Sequence, residues 1–193
     1  MGIEFEMKYA ATPDQQARIL ASYRLAYQNF DMETTYYDTP SSSLSERKVT
    51  LRRRMENGIS VCTVKTPVST YGRGEWECHC DNIEDGIVEL CKLGAPRELL
   101  NLTAEGIVHV CGAKFHRQAG LIRFKDTELE LALDQGILSG GGKEIPLCEV
   151  EVELKDGKPE DAVAFGVLLA QQFGLIPQEL SKFRRALALA KGE

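Results

Sequence analysis

Apolar and polar residues alternate along much of the chain, and the period of the alternation, two or about 3.6, marks out the elements. Residues 3–9 alternate Ile3, Phe5, Met7 and Tyr9 with Glu4, Glu6 and Lys8, the pattern of a strand. Thr12-Pro13-Asp14-Gln15 then opens a helix, with Thr12 as N-cap, Pro13 in the first turn and Gln15 closing a capping box. That helix is predicted to reach about Asn29. Strands are predicted over 34–38, 49–55 and 60–65, with Glu56-Asn57-Gly58 as the hairpin turn between the last two, and over 74–80. Pro96 opens a helix over 95–105, and strands resume over 110–118, 121–124, 128–134 and 147–155. Pro159-Glu160-Asp161 starts a second long helix that Gly174 stops, and a last helix is predicted over 178–191. Glycines 140–142 read as a flexible hairpin loop between two strands.

Strands joined mostly by short turns, with helices interspersed, predict an α+β domain: one antiparallel sheet or barrel decorated by helices. At 193 residues the chain suits one domain spanning 1–193. No G-x-x-x-x-G-K phosphate loop is present, so any phosphate recognition must rest on side chains. No stretch approaches the ~18 to 20 apolar residues of a membrane span, and the N-terminus lacks a signal-peptide pattern, so a cytoplasmic protein without membrane contact is expected.

Composition adds little beyond an ordinary globular class: 43% hydrophobic and 27% charged. The six cysteines include no C-x-x-C pair and read as core filler. In Cys78-His79-Cys80, strand alternation turns His79 away from both thiols, which argues against a metal site. His109 and His116 have no partner at ligand spacing, and no nucleophilic triad is visible. A net charge of −6 argues against general nucleic-acid binding but leaves room for one small polyanion at a locally basic site.

The distribution of charge says more than its sum. Four strands carry charge at successive same-face positions: Glu4, Glu6 and Lys8; Arg52 and Arg54; Arg73, Glu75 and Glu77; Glu149, Glu151 and Glu153. Such positions lie roughly 6.5 to 7 Å apart and repel when the charges are alike. A single strand of this kind reads as a solvated face. Four of them, closed into a barrel, would line a lumen in which carboxylates suit Mg²⁺ or Mn²⁺ and Lys and Arg suit phosphate oxygens.

The E-x-E-x-K of Glu4 to Lys8 resembles the signature of the CYTH, or triphosphate tunnel metalloenzyme, superfamily. Further segments of that pattern follow in order: Tyr36-Tyr37-Asp38-Thr39-Pro40, Leu51-Arg52-Arg53-Arg54, Thr63-Val64-Lys65 and Arg73-Gly74-Glu75-Trp76-Glu77. Phe115-His116-Arg117, the run from Glu130 to Gly136, the run from Cys148 to Leu154, and Leu180-Ser181-Lys182 are similar to the bacterial inorganic triphosphatase branch. The resemblance implies an eight-stranded antiparallel tunnel that hydrolyses tripolyphosphate to diphosphate and phosphate. It implies that Lys8, Arg52, Arg54, Lys65, Arg73, Arg117 and Lys182 grip the phosphates. Glu4, Glu6, Glu149, Glu151 and Glu153 would hold Mg²⁺ or Mn²⁺, with Glu4, Glu6 and Lys8 at the chemistry. Glu75, Glu77, Glu130 and Asp134 would complete the lumen. Relatives with the same tunnel cleave thiamine or nucleoside triphosphates or cyclise ATP, and a non-catalytic polyphosphate-binding module is the non-enzymatic alternative. Arg53 departs from the alternation and is expected at the solvent. Larger relatives carry a further helical, histidine-rich domain, and because this chain ends at Glu193, functions resting on that domain are expected to be absent.

Overall fold

The structure is a computed structural model that describes residues 2–69 and 72–193, with backbone alone for 2–4, 68, 69, 72 and 73. The N-terminal strand is split in two, β1 (Gly2–Glu4) and β2 (Glu6–Ala10), followed by α1 (Pro13–Ser22), β3 (Gln28–Asp38) and the short α2 (Ser43–Glu46). Next come β4 (Thr50–Glu56), β5 (Ile59–Ser69), β6 (Gly72–His79), α3 (Ile83–Lys92) and α4 (Glu98–Leu102). Three long strands, β7 (Val108–Phe124), β8 (Thr127–Gly140) and β9 (Lys143–Asp156), precede α5 (Pro159–Phe173), β10 (Ile176–Pro177) and α6 (Lys182–Lys191).

All strands join one antiparallel sheet in the order β1-β6-β5-β4-β3-β7-β8-β9-β2-β10. β1 lies against β6, whereas β2 lies against β9, so the N-terminal segment spans both edges of the sheet. Its break falls at Phe5, whose carbonyl accepts from the Leu154 N–H at 2.9 Å. The chain itself thus carries the sheet round into a tunnel of eight staves: the joined β1–β2 and the seven strands from β6 to β9.

Apolar faces dictate where the helices sit. Leu129, Leu131, Leu133, Val150 and Val152 on the outer face of β8 and β9 pack against Ile19 of α1 and Phe165, Leu169 and Phe173 of α5. Leu51, Cys62, Val64 and Trp76 on β4 to β6 pack against Ile83, Ile87 and Leu90 of α3 and Leu99 of α4. Helix α6 takes a different place. Its Phe183, Ala186 and Leu187 meet Tyr36, Ala113, Leu138 and Leu147, which lie on the strand faces that carry the charged residues further along. Alternation puts these on the inner side, so α6 covers an apolar end of the tunnel.

Several boundaries differ from the sequence expectation. The first helix stops at Ser22, because Tyr23, Leu25 and Tyr27 are partly buried at period two against the outer core, and the chain runs extended into β3. The two strands expected over 110–124 form one, since Gly120 lets it pass beneath Leu25 and Tyr27, where a Cβ would come within 3.2 Å of both. The helix expected over 95–105 shrinks to α4, and α3 was not anticipated. Asn82 caps α3 by accepting from the Asp85 N–H, and Ile83, Ile87 and Leu90 lie at helical spacing. Gly86 is required there, since a Cβ would sit 2.7 Å from the Cys62 sulfur. The last helix begins at Lys182, capped by Ser181, not at residue 178. Gly141 and Gly142, with φ of 58° and 74°, make a tight turn held under α6 instead of a flexible loop: a Cβ on Gly141 would lie 2.9 Å from the Ala190 carbonyl. All six cysteines are free thiols, and only Cys62 and Cys111 are fully in the core. Arg53 is partly buried and donates to the Asp81 carbonyl at 2.6 Å.

Candidate active site

The inner strand faces enclose a cavity of about 860 Å³. Register decides which charges meet. Lys8 stands opposite Glu151, and Glu6 stands opposite Glu153, which stands opposite Glu130, so three glutamates lie abreast on β2, β9 and β8. Across the cavity, Lys65 faces Glu75 at 3.2 Å, and Arg52 lies 3.5 Å from both Glu75 and Glu77. Thr63 donates to Glu77 at 2.9 Å. Arg117 on β7 and Lys182 at the start of α6 complete the wall. The expected lumen residues that reach the cavity are thus Glu6, Lys8, Arg52, Arg54, Lys65, Glu75, Glu77, Arg117, Glu130, Glu151, Glu153 and Lys182. The side chains of Glu4 and Arg73 lie outside the described residues, although their backbones pair with each other.

Glu149 and Asp134 are fully buried behind that wall. Arg117 grips Asp134 with two bonds of 2.7 Å and also donates to Glu151. Lys182 reaches Asp134 at 2.8 Å, Glu151 at 2.7 Å and Glu149. Arg185, one turn further along α6, bonds the other oxygen of Glu149. Burial opposes each of these charges, but the carboxylates hold Arg117 and Lys182 above their ordinary values, and Lys182 and Arg117 hold Glu151 well below the carboxylate range. Burial wins at Glu149 and raises it. Asp134, Glu149 and Glu151 each offer an oxygen within 4.8 Å of the others, a set of hard ligands that could hold a metal ion. The Lys182 ammonium lies among them.

Arg54 is a buried cation that its neighbours compensate only in part. It is 7% exposed, and its Nε lies 3.0 Å from a Glu56 oxygen but out of line for a hydrogen bond. Burial and the neighbouring Arg52 push its guanidinium down to about 10, with Glu56 pulling the other way and Arg117 adding repulsion. Lys8, 2.9 Å from Glu6, shows the reverse balance: burial lowers it, but Glu6 raises it above its ordinary value, so it stays an ammonium.

Sequence reasoning missed several contributors. Lys155 lines the cavity 2.9 Å from Glu153, and as the same-face position after Glu149, Glu151 and Glu153 it was legible in the alternation. Arg185 was signalled by its place three residues after Lys182. Lys48 reaches the wall from the loop after α2. Gln16 carried no signal. Buried on α1, it donates to the backbone carbonyls of Asp134 and Glu149, both at 2.9 Å, and so fixes the two strands where those carboxylates depart.

The CYTH domain pattern matches residues 2–187. The chain belongs to the CYTH family. A curated relative, the inorganic triphosphatase of Haemophilus influenzae, is 29% identical over 192 residues, covering 96% of this chain and 54% of its own. The chain therefore spans about half the length of the curated relative it matches. Among solved CYTH-like structures, PH1819 of Pyrococcus horikoshii superposes with a TM-score of 0.64 at 20% identity, covering 96% of this chain and 99% of the other. HpAC1 from Hippeastrum, proposed as an adenylyl cyclase and described as having a dominant triphosphatase activity, gives 0.63 at 16% identity, covering 100% and 96%. These likenesses show a shared fold. Among the described residues no helix is long and apolar enough to cross a membrane.

Proposed function

We propose that this chain hydrolyses inorganic tripolyphosphate to diphosphate and phosphate inside the tunnel, with Mg²⁺ or Mn²⁺. The observation that carries the reading is Arg54: a buried guanidinium on the cavity wall, crowded by Arg52 and Arg117, whose charge a polyanion would relieve. Lys8, Lys65, Arg117 and Lys182 add donors around the same space, and the family pattern adds Arg73. A bound divalent cation supplies charge on the phosphate oxygens and a water of lowered pKa. The carboxylates facing the cavity, Glu6, Glu151 and Glu153, fit as its ligands, with Glu4 from the family pattern, whereas Glu149 lies sealed behind them.

In this reading the basic side chains hold the chain of phosphates straight, so that water attacks the terminal phosphorus in line with the bridging oxygen that leaves. Glu6 accepts the water's proton, and Lys8, kept an ammonium by Glu6, steadies the charge that gathers on the terminal oxygens. The products are phosphate and diphosphate. Tripolyphosphate is favoured over organic triphosphates because Tyr36, Phe115 and Phe183 are buried among themselves or under Lys182, leaving little ring surface for a base. Tyr37 points to the outer core. Phe30, partly exposed on the cavity wall, is the observation that keeps an organic triphosphate as the second reading.

Initial rates of phosphate release from tripolyphosphate, ATP and thiamine triphosphate, each with Mg²⁺, Mn²⁺ or chelator, test this. Faster metal-dependent release from tripolyphosphate is expected. Equal rates on all three would remove the selectivity, and tight binding without turnover would make the tunnel a polyphosphate-binding module.

A further inference from the structure

The geometry points to Arg185 as a positioning residue: by pinning Glu149 it seats α6, so that Lys182 stands between the buried carboxylates and the cavity. Lys182 and Arg185 lie three residues apart, on neighbouring positions of one helical face. They divide Glu149 between them, Lys182 on one oxygen and Arg185 on the other. Glu149 is 0% exposed and does not reach the cavity. Its first task is therefore to anchor a helix.

The rest of the network agrees. Asp134, Glu149 and Glu151 bring three negative charges, and Arg117, Lys182 and Arg185 bring three positive ones. Lys182 serves all three carboxylates and lines the cavity, so a small tilt of α6 would move its ammonium relative to bound phosphate. Among the described residues the ion pair of Arg185 is with Glu149, and its Nε is buried without a hydrogen-bond partner. Arg184, its neighbour, is exposed and lies at the cavity rim, so the two arginines have separate work. Elsewhere α6 holds by apolar packing of Phe183, Ala186 and Leu187, which fixes its depth but not the register of its first turn.

That Lys182 meets phosphate rests on the function proposed above, so the test separates the two claims. Hydrogen exchange of α6 peptides is compared in the full chain, Arg185→Ala, Arg185→Lys and Glu149→Gln, alongside tripolyphosphate titrations in metal-free buffer, where no turnover is expected. Arg185→Ala should speed α6 exchange about tenfold or more, leave peptides from β7 and β8 unchanged, and weaken tripolyphosphate binding about tenfold. Arg185→Lys should recover part of both losses. In the Glu149→Gln background the further effect of Arg185→Ala should fall below about twofold, because the two residues act as one unit. Unchanged α6 exchange, or α6 loosening with unchanged affinity, would overturn the positioning role. If the unaltered chain fails to bind tripolyphosphate while Arg185→Ala still loosens α6, the anchor stands and the substrate reading falls.

Discussion

Arg54→Met offers a prediction in which stability and binding move in opposite directions. Burial and Arg52 hold the Arg54 guanidinium at about 10 against an ordinary 12.5. At about 1.4 kcal/mol per tenfold, its charge costs the folded state about 3 kcal/mol at neutral pH. The sign follows from proton counting: between about 10 and 12.5 the unfolded chain holds the proton that the folded chain has shed, so stability rises with pH there. Methionine keeps the apolar stem beside Met32, whose sulfur lies 4.0 Å from the guanidinium, and leaves Glu56, 30% exposed, to water. Urea melts should therefore find Arg54→Met more stable than the parent, by about 1 to 3 kcal/mol after the lost attraction of Glu56. Tripolyphosphate should raise the midpoint of the parent and barely move that of the variant. A variant less stable than the parent by more than about 1 kcal/mol, without added polyphosphate, would refute the idea of a poorly compensated charge.

Four further outcomes follow from the same contacts. Lys182→Met strips the cation from three carboxylates and should cost about 3 kcal/mol or more in urea melts, with Mg²⁺ restoring more stability to the variant than to the parent, since the oxygens lie at ligand spacing. Glu151, held well below its ordinary 4.5, contributes stability that is present above about pH 4.5 and lost as pH falls. Acid melts should show that loss in the parent and a smaller one in Lys182→Met, while Glu149, raised by burial, works in the opposite sense. Gln16→Leu removes the side-chain donor from two buried carbonyls and should cost about 1 to 3 kcal/mol in a urea melt, whereas no measurable loss would mean that water replaces the amide. Phe30→Ala should leave tripolyphosphate kinetics within about twofold, and a selective loss on ATP would favour the second reading.

The charged strand faces were legible because period-two alternation sorts inner from outer residues without knowledge of partners. That is why Arg52, Arg54, Glu151 and Glu153 were all found. Alternation says nothing of depth along the tunnel, so Glu149 and Glu153 looked equivalent, though one is sealed behind Lys182 and the other faces the cavity. Depth is set by α6, whose seat depends on contacts with strands more than thirty residues away in sequence. The split at Phe5 was equally hidden, because residues 3–9 keep a regular pattern while changing partners from β6 to β9. Helix α3 could have been read from Asn82 and the spacing of Ile83, Ile87 and Leu90. Gln16 could not, since a glutamine on a helix looks like surface until the two carbonyls beneath it are placed.

The most direct test of the tunnel as a tripolyphosphatase site is a ³¹P NMR time course of tripolyphosphate with the full chain and with Arg54→Met. Such a site yields equal amounts of diphosphate and phosphate in Mg²⁺ or Mn²⁺, no conversion in chelator, and a rate about a hundredfold lower in the variant. An unchanged tripolyphosphate spectrum in both metals, or hydrolysis that proceeds equally in chelator or in Arg54→Met, would contradict it.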